Sequence, residues 1–335
     1  MHKTAALKNP VLVTGALGFI GRRLVNRLLE EKYEVVAFDL PEQSIPAEWE
    51  GKARYVAGDI ANIQDVSTVA ADAGTIFHLA AIVGDWGAED LHHRVTVDGT
   101  ELLLEQARIY NCRVLMTTSI VVYGDKIDKG ICHESLELGK TFGPYSRSKQ
   151  AQEMLAEQYI KKGLRLTVIR PANVYGAGSK PWVNDLSKVL RSGAPTLIGG
   201  GNFNAGLVHV ENVVELMLLA ATNNIAIGEI YNICDEESVT WKEYTTAIAS
   251  FIGVSKPKSI PKWLARIIAS LYENLWRLFN RQSRPPLTHE SLNLVGSHHQ
   301  ITIEKAKTQL GYRPVINYQQ GLVEISKYIN RSTSY

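Results

Sequence analysis

A short apolar run, PVLVT at residues 10–14, leads at once into TGALGFIG, which carries Gly15, Gly18 and Gly21. Beyond the glycines, Ile20, Leu24, Leu28 and Leu29 recur at helical spacing. A strand, a glycine turn and a helix in that order leave the chain few ways to fold. The strand is apolar throughout, so both of its faces need a covering layer. The alternation then repeats. YEVVAFDL (33–40), ARYVAGDI (53–60), TIFHLAA (75–81), RVLMTTS (113–119) and LRLTVIR (164–170) read as strands, with helical patterns over 95–110 and 144–162. Doubly buried strands joined by helices predict an α/β fold built on a doubly wound parallel sheet.

After RPANVYGAG (170–178) the pattern loosens. VHVENVVELMLLAAT (208–222) and GEIYNI (228–233) return to the core. The last third is mainly helical: TWKEYTTAIASFIG (240–253), PKWLARIIASLYENLWRLFN (261–280, with proline in first position) and TIEKAKTQLGY (302–312, stopped by Gly311). The expected organisation is a cofactor domain over 1–175 plus 207–233. A smaller, mostly helical capping domain is expected over 176–206 plus 234–335.

Composition excludes several classes. With 45% hydrophobic and 21% charged residues, the chain has the make-up of a soluble globular protein with a sizeable core. A net charge of +2 gives no electrostatic footprint for a nucleic-acid partner. Cys112, Cys132 and Cys234 lie far apart, with no CxxC pair and no metal-ligand spacing, so we expect no metal and a reducing, cytoplasmic setting. His209 and the pair His298–His299 likewise lack supporting ligands. The first residues combine positive charge with an apolar run, but the run is short and glycine-studded and reads as strand and turn rather than leader. No uncharged apolar run reaches the roughly 18 residues of a membrane span.

Glycines between a strand and a helix let backbone approach a pyrophosphate, while the helix start offers free N–H donors and partial positive charge. Asp39 follows eighteen positions after Gly21, at the end of the second strand. A carboxylate there accepts hydrogen bonds from a ribose 2′-hydroxyl and repels a 2′-phosphate, which favours NAD over NADP. Arg22 and Arg23 blunt that argument, because an arginine neutralises a phosphate. Asp59 and Ile60 end the third strand, where they either meet an adenine or simply terminate the strand.

TGxxGxxG at 14–21, Asp39, GDI at 58–60, HLAA at 78–81, TTSIVVYG at 117–124, YSRSK at 145–149 and RPANVYG at 170–176 occur in one order. The set resembles the extended short-chain dehydrogenase/reductases, the group of NAD-dependent epimerases and dehydratases. One departure is Thr96, where the family often has asparagine. The resemblance implies a catalytic trio. Ser119 would hold the substrate oxygen, Tyr145 would be the acid/base, and Lys149, four residues on, would make the phenol more acidic. It also implies cofactor contacts from Gly15, Leu17, Gly18, Phe19, Ile20, Gly21, Asp39, Asp59, Ile60, Leu79, Ala80, Ala81, Thr117, Tyr145, Lys149, Pro171, Asn173 and Val174, and a homodimer packed through the 95–110 and 144–162 helices.

Three chemistries of that family separate partly by sequence. Nucleotide-sugar dehydratases resemble one another in having Asp-Glu after the catalytic Ser/Thr; Ile120 and Val121 stand here and transfer no proton. Nucleotide-sugar epimerases commonly place an arginine before VHV; Asn204, Ala205, Gly206 and Leu207 supply no cation. The C-terminal third looks like that of the 3β-hydroxysteroid and sterol-carboxylate dehydrogenase-like enzymes. Its segment 261–280 is unusually apolar. Trp263, Leu264, Ile267, Ile268, Leu271, Leu275, Trp276 and Phe279 cover a broad face, and Arg266, Arg277, Arg281 and Arg284 surround it. Core packing or a dimer contact, a lid over an apolar substrate, and a shallow seat on an anionic membrane all account for it. The expected function is NAD(H)-dependent interconversion of a secondary alcohol and ketone on an apolar, sterol-, terpenoid- or long-chain-like small molecule. A nucleotide-sugar epimerase is the alternative, and a non-catalytic NAD sensor a more distant one.

Overall fold

The computed structural model describes residues 6–41 and 45–332. The described strands are β1 (Val11–Thr14), β2 (Val35–Asp39), β3 (Ala53–Ala57), β4 (Thr75–His78), β5 (Arg113–Thr117), β6 (Arg165–Pro171), β7 (Asn173–Tyr175), β8 (Leu197–Ile198), β9 (Leu207–His209), β10 (Ile230–Ile233) and β11 (Ser259–Ile260). Seven of them form one sheet in the order β10-β6-β5-β4-β1-β2-β3, with every pairing parallel. The chain runs outward from β1 to β3, then restarts at β4 on the other side of β1. The carboxyl ends of β1 and β4 therefore flank the point where strand order reverses, which is where doubly wound sheets open a ligand crevice.

The helices are α1 (Phe19–Glu30), α2 (Ile63–Ala70), α3 (Glu89–His92), α4 (Gly99–Ile109), α5 (Pro144–Lys161), α6 (Leu186–Ser192), α7 (Val210–Ala221), α8 (Trp241–Phe251), α9 (Lys262–Leu278), α10 (His289–Val295), α11 (Glu304–Leu310) and α12 (Tyr318–Ser332). Leu24, Val25 and Leu28 of α1, Val213 and Leu216 of α7, and Ala306 and Leu310 of α11 share one core with the sheet. Val66 and Val69 of α2, Leu103 and Leu104 of α4, and Ala156 and Tyr159 of α5 fill the other face. Burial on both faces is why the central strands read as continuous apolar runs.

A separate cluster gathers Tyr175, Val183, Leu190, Leu207, Trp241, Tyr244, Ile248 and Ile325. A small fourth one joins Ile198, Ala265, Ala269 and Leu292. The last third packs through these two clusters, while Ile303 and Tyr312 join the sheet core. The helix expected from residue 95 is preceded by a wider, π-helical turn over His93–Asp98. The short helices α3, α6 and α10 lack a long apolar period, which is why sequence spacing did not reveal them.

On α9 the structure separates the competing accounts. Only Ala265, Ala269 and Glu273 are buried. Trp263, Ile267, Leu271, Leu275, Leu278 and Phe279 face solvent. Core packing thus accounts for the narrow small-residue side and not for the broad apolar side. Trp276, counted with that side from spacing, turns away from it. It is half-buried, edge-on to Tyr272 at 5.4 Å and stacked by Arg281 at 5.0 Å.

Candidate active site

The glycine loop lies at the reversal point. Gly15 has a φ of +68°, and a Cβ there would stand 2.7 Å from the Ala80 nitrogen at the end of β4. A Cβ on Gly21 would stand 2.2 Å from the Gly15 oxygen. The loop is thus closed down onto the strand ends and onto the first turn of α1, whose N-cap is Gly18. This is a cradle that side chains would fill, and it fits a dinucleotide pyrophosphate. Asp39 completes it. Its Oδ2 accepts from the Leu17 N–H at 2.8 Å and its Oδ1 from the Leu40 N–H at 2.8 Å. A carboxylate has about four acceptor sites, so two remain for ribose hydroxyls. Arg23 does not weaken the NAD preference, because its guanidinium pairs with Glu324 at 2.6 Å and Glu211 at 3.3 Å. Arg22 bonds the Leu17 carbonyl at 2.9 Å.

The other expected cofactor residues divide into two groups. Phe19 and Ile20 open α1, and Leu79, Ala80 and Ala81 follow β4, all partly exposed around the crevice. Thr117 is buried, its hydroxyl bonding the His78 carbonyl at 3.3 Å. Pro171 ends β6 and Asn173 opens β7, with the Asn173 amide held by the Ala205 carbonyl at 2.7 Å. The Val174 carbonyl accepts from Ser179 at 3.1 Å. Asp59 and Ile60 have other partners. Burial raises the Asp59 carboxyl, but the Arg94 guanidinium at 2.8 Å and the Ala61 N–H outweigh it and hold the group below its usual range. Ile60 is buried, with its side chain against Gly99.

β5 and α5 carry the expected trio Ser119, Tyr145 and Lys149 to one corner of the fold. Ser119 follows β5 in extended conformation and caps a short 3-10 turn, its hydroxyl accepting from the Val121 N–H at 3.3 Å. The same side chain is near enough to the Tyr145 phenol to favour its ionised form. Burial pushes that phenol up to about 12, Ser119 pulls against it, and the nearby Glu290 carboxyl adds to the rise. Lys149 stands one turn further along α5. Lys149 is itself 3% exposed, its Nζ lies 6.0 Å from the Tyr145 ring centre, and burial lowers its ammonium to about 7. Its N–H groups are directed elsewhere, to the Thr117 carbonyl at 3.2 Å and the Gln152 Oε1 at 2.9 Å.

Those bonds belong to a buried chain whose direction is determined throughout. The Thr100 hydroxyl donates to the Thr96 carbonyl at 2.5 Å. It must therefore accept from both the Gln152 amide and the His78 Nε2, each at 2.8 Å. His78 consequently carries its proton on Nε2, and its Nδ1 accepts from the Thr14 hydroxyl at 2.8 Å. Burial lowers His78 to about 3, so the ring is neutral. With the Gln152 amide donating to Thr100, its oxygen is aimed at Lys149. A second anchor joins α5 to β6: Glu153 and Arg170 pair at 2.6 Å, both almost fully buried, and Thr118 bonds Glu153 at 2.6 Å.

The C-terminal third contributes one carboxyl to this corner. Glu290 of α10 is 3% exposed. Its Oε1 accepts from the Ser146 N–H at 3.0 Å, which serves a donor at the start of α5 that the N-cap Gly143 has no side chain to reach. Burial, then Asp85, raises Glu290 to about 8. A cleft of about 280 Å³ lies beside this corner, walled by Trp86, Phe142, Gly143, Arg147, Trp276 and Arg277. A larger surface cleft, about 900 Å³ between Glu236 and Gln320, lies elsewhere; neither cleft is lined by Ser119, Tyr145 or Lys149, but the smaller one includes Pro144 and Arg147 of α5 and so abuts the helix that carries Tyr145 and Lys149.

Gln152 and Glu290 were missed by sequence reasoning. Gln152 had a signal, because it stands three residues from Lys149 on one helix face. Glu290 had none, being 144 residues from the N–H it caps. Ile120 and Val121 are buried and apolar, so nothing after Ser119 can remove a second proton. His209 bonds Glu324 at 2.8 Å, His299 is buried and His298 accepts from the Asn204 N–H at 3.1 Å. Among the described residues no group of three or more His, Cys, Asp or Glu could hold a metal, and all three cysteines are free and buried.

Comparison with known proteins agrees with this geometry. The NAD dependent epimerase/dehydratase family matches residues 11–234. The chain is 26% identical to 2-alkyl-3-oxoalkanoate reductase of Stenotrophomonas maltophilia, over 93% of this chain and 97% of the relative. It is 29% identical to 3-beta-hydroxysteroid dehydrogenase of Mycolicibacterium neoaurum, over 95% of this chain and 90% of the relative. The solved structure of MoeE5 in complex with UDP-glucose and NAD superposes with a TM-score of 0.74 at 26% identity, covering 96% of this chain and 99% of that one. The glycine cradle, the strand order and these matches agree: the chain belongs to the NAD dependent epimerase/dehydratase family, as an NAD-dependent oxidoreductase of the extended short-chain type, similar to the 3β-hydroxysteroid dehydrogenases.

Proposed function

We propose that this enzyme interconverts a secondary alcohol and a ketone on an apolar small molecule through Ser119, Tyr145 and Lys149. The carrying observation is that Ser119 and the Tyr145 phenol influence one another across the site, with the Lys149 ammonium buried one turn along α5. Bound NAD supplies or accepts the hydride at the carbon bearing the reacting oxygen. Ser119 holds that oxygen against the phenol. In reduction Tyr145 delivers its proton to the oxygen as the C–O bond gains electrons, and in oxidation it takes the proton back. Lys149 contributes positive charge beside the phenol. In this reading residues 1–175 plus 207–233 bind the cofactor, and 176–206 plus 234–335 shape the substrate site.

An apolar substrate is supported by the aromatic walls Trp86, Phe142 and Trp276 of the cleft and by the names of the oxidoreductase relatives. The alternative, a nucleotide-sugar epimerase, is favoured by the UDP-glucose complex of MoeE5. Against it, Asn204–Leu207 offers no cation for a diphosphate, which is costly to bury unpaired. We assign the protein to the cytoplasm as a homodimer, with exposed Ile109 of α4 and Met154 of α5 on the expected dimer face, and with a peripheral membrane contact through 261–280. The test is a screen of purified protein with NAD⁺ against hydroxysteroids, 3-hydroxy acids and UDP-sugars, read as NADH absorbance. Tyr145→Phe should abolish turnover and leave NAD binding nearly intact; surviving turnover overturns the mechanism, and UDP-sugar conversion without net NADH favours the epimerase.

A further inference from the structure

Three stretches far apart in the chain meet at Gly143, the N-cap of α5. A Cβ there would collide with the Glu290 carboxyl and would stand 3.3 Å from the Asp85 carbonyl oxygen. The bare glycine lets the loop after β4 and the start of α10 close onto the helix that carries Tyr145. It also leaves α5 without a capping side chain, and Glu290 caps from outside, its Oε1 accepting from the Ser146 N–H at 3.0 Å. The same α10 braces the Ser119 side. The Asn293 amide donates at 3.0 Å to the Gly124 carbonyl, inside the 3-10 turn that Ser119 caps. The placement of α10 therefore bears on both sides of this corner.

Asp85 fastens α10 at its start. The Asp85 side chain is 12% exposed and stands in the wall of the smaller cleft. Burial raises its carboxyl, but the Arg284 guanidinium and the Thr288 hydroxyl outweigh it and hold the group below its usual range, so it accepts and does not donate. Arg284 donates to both oxygens, Nε to Oδ1 at 2.5 Å and Nη2 to Oδ2 at 2.6 Å. The Thr288 hydroxyl donates to Oδ2 at 2.6 Å. Its one proton is committed there, so Thr288 Oγ1 is left to accept, and it receives the Ser291 N–H at 3.0 Å as the N-cap of α10. Asp85 thus sets the direction of the bonds that begin α10. Glu273 of α9 gives α10 a second anchor by accepting from the His289 N–H at 2.6 Å, so the helix stays attached when the Asp85 bond alone is lost.

We propose that Asp85 is a positioning residue for Tyr145, acting through Thr288, Glu290 and the Ser146 N–H to set where the start of α5 sits against the cleft. The proposal rests on the reading of Tyr145 as the acid/base and adds a group that acts on it from a distance. Tyr145 stands one residue before the capped N–H, so a shift of the cap moves the phenol with it. No bond of the relay is local: Asp85 and Thr288 are 203 residues apart, Glu290 and Ser146 144. A reacting group displaced by about 1 Å loses roughly a hundredfold in rate, so a small slackening at Asp85 is enough to be read in turnover.

The test pairs amide hydrogen exchange with kinetics. Thr288→Val keeps the volume of threonine but neither donates to Asp85 nor accepts from Ser291. Thr288→Ser keeps the hydroxyl, and Asp85→Asn removes the charge; thermal melting checks that each variant folds. The peptide containing Ser146 should exchange at least tenfold faster in Thr288→Val and Asp85→Asn, and at the wild-type rate in Thr288→Ser, with the β5 peptide unchanged in all three. Kinetics use NAD⁺ and the hydroxysteroid or 3-hydroxy acid turned over in the screen above. Thr288→Val should lower kcat roughly ten- to a hundredfold and Thr288→Ser should restore it. KM should stay nearly unchanged in Thr288→Val, because Thr288 does not line the cleft. The double variant of Asp85→Asn and Thr288→Val should lose no more than the worse single one, since both break one path. Unchanged exchange at Ser146 overturns the proposal. Faster exchange with kcat intact overturns it too, because the contact is then merely structural, and so do additive losses in the double variant. Turnover surviving in Tyr145→Phe overturns the acid/base reading, whereas the exchange at Ser146 is read without substrate and judges the relay by itself.

Discussion

Gln152→Leu isolates what the buried polar chain does for the active site. Leucine approximates the volume of glutamine but cannot accept a hydrogen bond. Lys149 then keeps the Thr117 carbonyl and loses the Gln152 oxygen, the shorter of its two contacts. A hydrogen bond to a charged group contributes about 1.5–3 kcal/mol. At 1.36 kcal/mol per pH unit, that moves the lysine's titration about one to two pH units lower. Burial already brings Lys149 down to about 7, so its charged form is present below that pH and lost as pH rises through it. The variant therefore holds mostly neutral lysine at pH 7. The alkaline fall in kcat/KM should move to lower pH, and the rate at pH 7.5 should drop roughly ten- to a hundredfold. Gln152→Glu keeps an acceptor and adds negative charge, so its fall should move to higher pH. The assay is kcat/KM against pH for the three proteins, with thermal melting alongside. A merely structural role would lower the melting temperature of the variants and leave the limb in place; an unmoved limb in both refutes the reasoning.

Two other substitutions probe the neighbouring groups. Glu290 titrates near 8 in the fold, above its ordinary value, so its contribution to stability is complete below about 4.5 and is lost as pH rises through 8. Glu290→Gln does not ionise, and its urea midpoint should gain on the wild type between pH 5 and pH 9; an equal difference at both pH values would falsify the assignment of a buried, raised carboxyl. Asp39→Ala removes the acceptor for a ribose hydroxyl and the repulsion of a 2′-phosphate together, so the ratio of NADP to NAD dissociation constants should fall at least severalfold in a fluorescence titration. Both constants should also rise, since Asp39 bonds the Leu17 N–H of the loop; an unchanged ratio would show that Asp39 only shapes the loop.

The local parts of this site were legible in the chain. Gly15, Gly18 and Gly21 between an apolar strand and a helix admit little else, because Gly15 sits at positive φ and a Cβ on Gly21 would collide with backbone. Continuous apolar runs implied strands covered on both faces, and the seven-stranded parallel sheet has that form. Tyr145 and Lys149 lie four apart on α5, which spacing alone places on one side. What spacing does not carry is environment. Burial pushes Tyr145 up and Lys149 down, and the direction of the Lys149 bonds depends on Thr100 and His78, which reach it only through the packing of α4 and β4 against α5. Glu290 arrives at Tyr145 from a different part of the chain altogether. The apolar face of α9 is the clearest division. Its composition was plain in the sequence, but only tertiary packing decided that the small residues Ala265 and Ala269 face inward and the large ones face water. Periodicity reports which residues share a face; the neighbours that face meets are set by contacts between residues distant in the chain.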